Sequence, residues 1–416
     1  MSDAQKELFV FVNNIELTVG RINYSGRGAK EISRFSYTDD WLEYEDSFPI
    51  SPHLPLDGGE KFYSSTRDDN KSCFPLVVSD TCPDSWGRGL IQKRLKRSIT
   101  EYEALTEVND ISRLGALRFK NSPEIKAEFL CSTYPEIPRI RTLGELTATI
   151  HKIEQNPDKA AEYNKEVFGS GLGGARPKSD IRGDDEDLFI AKYTSVNDTK
   201  AIEKAEAATL DVAARVGLDA CQYLQAGERG KFPVTLVKRF DRDKVGGRKL
   251  YISAQTLLDN DTAINRYYTD IIEQMRIFSL DFEKDSFELY RRIAFTILIS
   301  NNDDHLKNHG FLMADYDNHW RLAPMFDVNP QPERRAALET GIAEDYGNDA
   351  SIASLVDCAP LLGVKQKDAI KAIKEMAEHT KAVWEPALEA SGMTGAERRY
   401  YKAAIQHTEF DRALKL

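Results

Sequence analysis

Two different periods of apolar residues occur in this chain, and the change between them most constrains its fold. Near the start, ELFVFVNNIELTVGRINYSG alternates apolar and β-branched residues around Asn13 and Asn14, which predicts a β-hairpin. After about residue 242, segments such as RYYTDIIEQMRIF and SFELYRRIAFTILIS repeat apolar residues at three- and four-residue spacing, which predicts helices. The sequence therefore predicts a β-rich start and a helical end.

The middle of the chain mixes both patterns. A glycine-rich stretch, GSGLGGARPKSD, precedes the apolar strand LFIAKY, the helix AIEKAEAATLDVAARVGL and the strand FPVTLVKRFDR. A second predicted hairpin, HGFLMADYDNHWRLAPMFD, interrupts the helical end. We therefore predict an α+β fold in three parts: a β-rich module over 1–120, a mixed part over 121–241 and a helical part over 242–416.

Composition narrows the class of protein. A net charge of −11 argues against a general affinity for nucleic acid. The five cysteines are scattered without a C-x-x-C pair, which argues against disulfides and thiolate zinc sites. No apolar run approaches the ~20 residues of a membrane helix, and the start MSDAQKELFVFV does not resemble a secretion signal. We expect a cytoplasmic protein with no membrane contact.

The stretch NNDDHLKNHG carries the first chemical signal. Asp303 is followed five positions later by Asn308, which is the D-x-x-x-x-N spacing of a protein-kinase catalytic loop. In that loop the aspartate accepts the proton of the substrate hydroxyl and the asparagine ligates Mg²⁺. The alternative for this stretch is a polar surface loop, since Asn and Asp favour turns.

A second metal ligand is predicted further along the chain. Asp327 lies nineteen residues beyond Asn308, in LAPMFDV, at the predicted end of the second hairpin strand. Carboxylate and amide oxygens are the hard ligands that Mg²⁺ prefers. The alternative is an aspartate that merely ends a strand before the turn residues Asn329 and Pro330.

The glycine-rich stretch suits phosphate binding. Gly171, Gly173 and Gly174 would let backbone N–H groups approach phosphate oxygens with no Cβ in the way. Arg176 and Lys178 add positive charge, although the stretch is not a Walker A loop. A plain linker is the alternative.

Two further residues complete a kinase-like order. Lys192 lies in the strand LFIAKY, and Glu206 on the following helix could pair with it, as the strand lysine and helix glutamate do in kinases. An edge-strand lysine and a surface glutamate are the alternatives. The order of all these features predicts phosphoryl transfer from ATP.

His305 and His309 are disfavoured as zinc ligands, because HLKNH lacks the glutamate of H-E-x-x-H and Gly310 follows at once.

The motifs SGLGGARPKSD, TLVKRFDR, NNDDHLKNHGF and LAPMFDV together resemble the HipA family, serine/threonine protein kinases of bacterial toxin–antitoxin modules. FPISPHLPL, PDSWGR and DISRLGALRF resemble the small domain that precedes the kinase core in that family. The resemblance spans nearly the whole chain. It implies a two-lobed protein-kinase-like fold with an N-terminal β-rich module and a mostly helical C-terminal lobe.

The resemblance also implies roles for individual residues. Asp303 would be the catalytic base, and Asn308 and Asp327 would hold Mg²⁺. The remaining nucleotide-binding residues would be the loop Gly173, Gly174, Ala175, Arg176, Pro177 and Lys178, the phosphate contact Lys192, the hinge Lys238, Arg239 and Phe240, and the neighbours His305, Lys307 and Phe326.

Two departures from the family pattern stand out. Members often autophosphorylate a serine where this chain has Gly171, and the nearest hydroxyl is Ser170, so autophosphorylation there is a hypothesis. The hinge has Lys238 where an acidic residue is expected, which backbone contacts to adenine should tolerate. No role follows for Asp304 and His309, which are interpreted as the solvent side of the loop.

The expected function is that of an ATP- and Mg-dependent serine/threonine protein kinase, the growth-arresting toxin of a toxin–antitoxin pair. The family's best-known members phosphorylate a serine of glutamyl-tRNA synthetase, which makes an aminoacyl-tRNA synthetase one substrate to consider. A small helix-turn-helix antitoxin would bind the chain and would provide its contact with DNA. Two alternatives stay open: a catalytically weak nucleotide-binding partner that scaffolds the antitoxin, and a small-molecule kinase.

Overall fold

The structure is a computed structural model of the 416-residue chain. It describes residues 5–27, 30–66, 71–132, 136–157, 176–243, 246–260, 266–315, 317–333 and 337–416. The fold is mixed α and β, with a β-rich N-terminal region and a helical C-terminal part, as the sequence predicts. In the described ranges, no helix is long and apolar enough to cross a membrane.

The secondary structure follows the two predicted periods. The strands are β1 Lys6–Val12, β2 Gly20–Arg27, β3 Lys30–Tyr37, β4 Lys61–Thr66, β5 Leu117–Lys120, β6 Lys178–Arg182, β7 Leu188–Tyr193, β8 Tyr223–Ala226, β9 Val234–Lys238, β10 Tyr251–Ser253, β11 Gly310–Asp315 and β12 His319–Leu322. The helices are α1 Asp39–Glu43, α2 Leu76–Ser79, α3 Ser85–Leu95, α4 Glu101–Thr106, α5 Leu143–Gln155, α6 Ile202–Arg215, α7 Ala254–Leu257, α8 Tyr268–Phe278, α9 Phe282–Leu298, α10 Ile352–Asp357, α11 Gln366–Ala390, α12 Gly395–Lys402 and α13 Thr408–Leu414.

The chain forms two compact units that are discontinuous in sequence. Unit 1 comprises 1–196, 239–262 and 312–318. Unit 2 comprises 197–238, 263–311 and 319–416. The boundaries predicted for the three parts of the chain stay a prediction.

The first part of unit 1 is a five-stranded antiparallel sheet in the order β4-β3-β2-β1-β5. Leu8 pairs with Ile22, and Ile22 pairs with Phe35, so buried apolar side chains face one another across three strands. The predicted hairpin around Asn13 is confirmed as β1 and β2. Gly20 has no room for a side chain, because a Cβ there would lie 2.6 Å from the Phe35 ring.

Helices dominate unit 2, and α9 leads directly into the candidate loop. Its second half is buried on nearly all sides, from Leu289 to Leu298. The helix ends because Ser300 adopts a left-handed conformation with φ +59°, and the N–H of Asn301 then donates to the Thr296 carbonyl at 2.9 Å. The Ser300 hydroxyl donates to the Ala404 carbonyl at 2.9 Å, which fixes the exit of the chain from the helix.

The longest helix, α11, packs against α6 within unit 2. The ammonium group of Lys204 on α6 is buried and donates to the Gly392 carbonyl at 3.0 Å, just beyond the end of α11. It also lies 3.3 Å from the Glu397 carboxylate, so the buried charge is compensated. These contacts give unit 2 a fixed helical frame for the loop after α9.

Candidate active site

The loop after α9 turns back on itself between Asp303 and Asn308. The Asp303 carbonyl accepts from the His305 N–H at 3.1 Å and from the Asn308 side-chain amide at 3.0 Å. Residues Leu306–Asn308 form a single 3-10 turn, in which the Asn308 N–H donates to the His305 carbonyl at 2.9 Å. The two residues predicted to act together are therefore joined by a hydrogen bond.

The side chains of this loop divide into an exposed set and a buried set. Asp303 and Lys307 are exposed, and His305 is half-buried. Asn308 is buried, and its Nδ2 is engaged by Asp303, so its Oδ1 is the atom that would meet a cation. The exposed carboxylate of Asp303 is accessible to a substrate, as a general base must be.

Asp304 and His309 are buried, so their interpretation as the solvent side of the loop is wrong. One carboxylate oxygen of Asp304, Oδ2, accepts from the Tyr268 hydroxyl at 2.6 Å and from the Thr296 hydroxyl at 3.3 Å. The same oxygen lies 3.2 Å from Nε2 of His309. That nitrogen makes no well-aligned hydrogen bond among the described residues, so its approach to Asp304 is a close polar contact.

The environment keeps Asp304 ionised and Tyr268 protonated. Burial by itself would raise the pKa of Asp304, but His309 and the Tyr268 hydrogen bond more than offset it, and the pKa lies below its ordinary value. Burial and the neighbouring Asp304 raise the pKa of Tyr268 well above its ordinary value. Tyr268 is therefore the donor and Asp304 the acceptor in their hydrogen bond.

Asp327 differs from its predicted place at a strand end. Strand β12 ends at Leu322, and Asp327 follows five residues later with a left-handed φ of +56°. Its Oδ1 accepts from the side-chain amide of Asn329 at 3.1 Å. The chain then returns to the loop, where the Gln331 N–H donates to the Ser300 carbonyl at 3.0 Å. Phe326, beside Asp327, is half-buried.

The oxygen atoms that unit 2 offers for metal binding are of the type that a hard cation prefers. Asn308 offers an amide oxygen and Asp327 a carboxylate, and the buried Oδ1 of Asn329 has no hydrogen-bond partner among the described residues. No cluster of three His, Cys, Asp or Glu side chains with metal-binding geometry occurs in the ranges that the structure describes. Mg²⁺ matches such a sparse set, since it commonly keeps several waters and takes its other ligands from phosphates.

The predicted phosphate segment can be followed only from Arg176 onward. Ser170, Gly171, Gly173, Gly174 and Ala175 lie outside the described residues. Arg176 is half-buried, and Pro177 and Lys178 are buried at the start of β6. The Pro177 carbonyl accepts from the Tyr193 N–H at 3.0 Å, next to Lys192 on β7.

Strands β6 and β7 form an antiparallel hairpin in which Lys178 pairs with Lys192. Directly opposite residues project from the same face of an antiparallel pair, with their Cβ atoms about 5 Å apart. Two ammonium side chains are thereby brought to one face of unit 1. Glu206, the predicted partner of Lys192, is buried on α6 of unit 2.

The predicted hinge residues occupy the end of β9 and the segment after it. Within unit 2, the N–H of Lys238 donates to the Gln222 carbonyl at 2.8 Å. Within unit 1, the N–H of Arg239 donates to the Leu188 carbonyl at 2.9 Å, and the Phe240 ring lies 5.9 Å from the Tyr251 ring. Both of these backbone amides are engaged by protein carbonyls.

A buried group of charges, missed in the sequence, holds the segment after the hinge. The guanidinium of Arg239 donates to the Asp241 carboxylate at 2.9 and 2.6 Å and to Asp180 at 2.9 Å. The N–H of Gly115 donates to Asp241 at 2.7 Å, and the Ser112 carbonyl accepts from Arg239 at 2.7 Å. The closely spaced opposite charges in PKSDIR and VKRFDR, each beside an apolar strand residue, were the available signal.

The N-terminal module thus contacts the predicted nucleotide segments at several points of unit 1. Besides Ser112 and Gly115, Trp86 of PDSWGR donates its indole N–H to the Lys178 carbonyl at 3.2 Å. Outside these segments, Asp80 accepts from the Ser253 N–H and the Thr256 hydroxyl, both at 2.7 Å. Residues of the N-terminal module are therefore hydrogen-bonded to several later parts of unit 1.

Two models of known protein families match this chain, one in the β-rich N-terminal region and one further along. The family model described as the HipA N-terminal domain matches residues 9–120, and the one described as the HipA-like C-terminal domain matches residues 170–384. The second match alone covers more than half of the chain. The chain belongs to the HipA family.

The similar proteins are distant in sequence. The HipA chain of a Shewanella oneidensis complex of HipA, HipB and operator DNA aligns over 98% of this chain and 99% of its own length, with TM-score 0.65 and 16% identity. A Helicobacter pylori proinflammatory kinase, CtkA, aligns over 58% of this chain and 92% of its own, with TM-score 0.44 and 13% identity. A Haemophilus influenzae protein provisionally described as a kinase is 28% identical over 193 residues, 40% of this chain and 54% of that protein. The chain thus matches about half the length of that curated relative.

Proposed function

We propose that this chain is an ATP- and Mg-dependent serine/threonine protein kinase, the toxin of a toxin–antitoxin pair. One observation carries the proposal: the exposed Asp303 is hydrogen-bonded through its carbonyl to the side chain of Asn308 at 3.0 Å. A base and a metal ligand that act on one phosphoryl group must keep a fixed separation, which this bond supports.

The chain's own residues divide the work of transfer. Asp303 would accept the proton of the substrate hydroxyl while that oxygen bonds to the γ-phosphorus, and the bond from this phosphorus to the bridging oxygen would break so that ADP leaves. Asn308 and Asp327 would hold the cation through oxygen atoms. Bound Mg-ATP supplies the γ-phosphoryl group and an electrophilic phosphorus. Catalysis rests on positioning and on charge neutralisation, because the reaction asks little else of the protein.

The residues predicted to bind the nucleotide belong partly to unit 1 and partly to unit 2. Lys178 and Lys192, opposite one another on β6 and β7, supply two positive charges for phosphate oxygens. Arg176 and the glycines before it would form the rest of the phosphate loop. Backbone groups of the segment from Lys238 to Phe240 would contact adenine, with His305, Lys307 and Phe326 beside the nucleotide.

The proposed partner is a small helix-turn-helix antitoxin. Support comes from family membership and from the structural neighbour, which is described as a complex of HipA, HipB and operator DNA. Contact with DNA would be indirect, since the net charge of this chain is −11. The substrate would be a cytoplasmic protein, with an aminoacyl-tRNA synthetase as one candidate.

The test is to incubate the purified chain with γ-labelled Mg-ATP and cell lysate, and then to separate proteins from metabolites. A labelled protein band, with label on serine or threonine after acid hydrolysis, is the expected result. Label confined to metabolites would support a small-molecule kinase. ATP binding without any transfer would support a nucleotide-binding partner of an antitoxin.

Autophosphorylation at Ser170 is a separate hypothesis. The chain would be incubated with Mg-ATP alone and analysed by peptide mass spectrometry. A phosphate on Ser170 supports self-inactivation through this stretch. An unmodified peptide over residues 168–180, with lysate proteins still labelled, would eliminate it without affecting the kinase proposal.

A further inference from the structure

Asp304 and His309 directly follow the proposed base Asp303 and the proposed metal ligand Asn308, and both are buried. We propose that Asp304, His309, Tyr268 and Thr340 form a loop clamp, a set of positioning residues that fixes Asp303 relative to Asn308. The inference rests on the proposed kinase function and adds to it a group of residues that touch neither substrate nor nucleotide.

The first part of the clamp closes the loop. Oδ2 of Asp304 lies 3.2 Å from Nε2 of His309, so the two ends of the loop meet through side chains. Each of these residues is one peptide bond from a proposed functional residue. Holding them together therefore limits how far Asp303 and Asn308 can separate, and it reinforces the 3.0 Å hydrogen bond between Asn308 and the Asp303 carbonyl.

The second part ties the loop to the rest of unit 2. The Tyr268 hydroxyl, at the start of α8, donates to the Asp304 side chain at 2.6 Å. The Thr340 hydroxyl donates to the Asp304 carbonyl at 2.8 Å. The Tyr268 ring also packs edge-on against His309, with 5.6 Å between ring centroids. Asp304 is thus held at both its side chain and its backbone.

Tyr268 and Thr340, which hold Asp304, lie in chain segments that are themselves joined. The Tyr268 N–H donates to the carbonyl of Gly341, the residue after Thr340, at 2.8 Å, and the Gly341 N–H donates to the Arg266 carbonyl at 2.9 Å. Gly341 fits there because a Cβ would lie 2.6 Å from the Tyr267 ring. The clamp therefore connects the loop to two chain segments that share backbone hydrogen bonds.

The polar character of the clamp argues for positioning rather than for packing. A buried carboxylate with a histidine costs desolvation energy that an apolar group of equal volume would avoid. Hydrogen bonds have preferred directions, whereas apolar contacts do not, so a polar cluster fixes one arrangement of the loop. A loop that must hold a base and a metal ligand gains from that rigidity.

Two variants with matched controls test the clamp in the full-length chain. Tyr268→Phe and Thr340→Val each remove one hydroxyl that bonds to Asp304. Tyr290→Phe is the first control, because its buried hydroxyl bonds instead to the Leu355 carbonyl at 3.2 Å. Thr380→Val is the second, because its buried hydroxyl has no hydrogen-bond partner among the described residues.

For each variant we would measure the rate of label transfer from ATP to the lysate protein that the wild type modifies, at a series of ATP concentrations. Each rate would be divided by the fraction of the chain that binds ATP. We expect both clamp variants to lower kcat about tenfold while the KM for ATP changes less than about twofold, since misplacement acts on the reacting groups rather than on binding. Amide hydrogen exchange over residues 303–309 should become faster in both clamp variants and in neither control.

An unchanged kcat in both clamp variants would overturn the inference, as would an equal loss in the control variants. If the wild type transfers no phosphate, the proposed function fails on its own. Hydrogen exchange then still decides about the clamp: faster exchange in Tyr268→Phe than in Tyr290→Phe supports it, and equal exchange overturns it.

Discussion

Lys178 on β6 lies directly opposite Lys192 on β7 in the antiparallel hairpin of unit 1. The register places both side chains on one face of the hairpin, with their Cβ atoms about 5 Å apart. In the proposed function, both ammonium groups would contact phosphate oxygens of the nucleotide. The proposed phosphate site therefore includes a pair of lysines set by strand register, and substituting one of them tests it.

Replacing Lys192 by Met should weaken the binding of Mg-ATP about ten- to a hundredfold, because one charge-assisted contact to phosphate is lost. Titration calorimetry with the purified chain measures the effect. Lys61→Met is the control, since Lys61 is a strand lysine of the same unit that pairs with Asp57. Equal affinities of Lys192→Met and wild type would refute the phosphate role of this lysine.

The Asp241 carboxylate gives a prediction about pH and stability. Burial alone would raise its pKa, but Arg239 and Arg242 hold the pKa well below its ordinary value. A folded pKa below the unfolded one means that the ionised group stabilises the fold above the unfolded pKa of ~3.9 and loses this contribution as pH falls. Asp241→Asn should therefore cost about 3 kcal/mol at pH 7 and progressively less below about pH 4.

Urea unfolding of wild type and Asp241→Asn at pH 7, 5 and 3 measures this difference in free energy of unfolding. The exposed Asp184 offers a control, and Asp184→Asn should change little at any of these pH values. A difference between Asp241→Asn and wild type that stays constant down to pH 3 would contradict the ionised role of Asp241.

Asp327→Asn should raise the Mg²⁺ concentration that supports half-maximal transfer about tenfold or more, because a neutral amide replaces a charged ligand. Initial rates against free Mg²⁺ at saturating ATP provide the measurement. Asp349→Asn, at an exposed position of the same unit, should leave the Mg²⁺ dependence unchanged. An identical Mg²⁺ dependence of Asp327→Asn and wild type would remove Asp327 from the proposed metal site.

Elements with a clear period were predictable from the sequence. Alternation along ELFVFV predicted β1, and three- and four-residue spacing predicted α9, because each buries one continuous apolar surface that local sequence encodes. The loop after α9 was predicted as well, since D-x-x-x-x-N is a local spacing. The place of Asp327 beyond the strand end was not, because strand length depends on pairing with distant segments.

The burial of Asp304 and His309 could not be predicted from the local sequence. A polar residue in a polar stretch is predicted to be exposed. However, Asp304 is buried and accepts hydrogen bonds from Tyr268 and Thr340, each 36 residues away in sequence. The Arg239 and Asp241 cluster is similar, because its partners Ser112 and Gly115 lie more than 120 residues away. Such contacts arise from tertiary packing, and one sequence does not show which distant residues will meet.

Asp303 is the proposed base of a phosphoryl-transfer site, and the whole proposed function depends on it. The most direct measurement compares wild type and Asp303→Asn for transfer from γ-labelled ATP to lysate protein and, in parallel, for ATP affinity. Removal of a general base should slow transfer about 10²- to 10⁴-fold while the Kd for ATP stays within about threefold. Wild-type transfer by Asp303→Asn would contradict the claim.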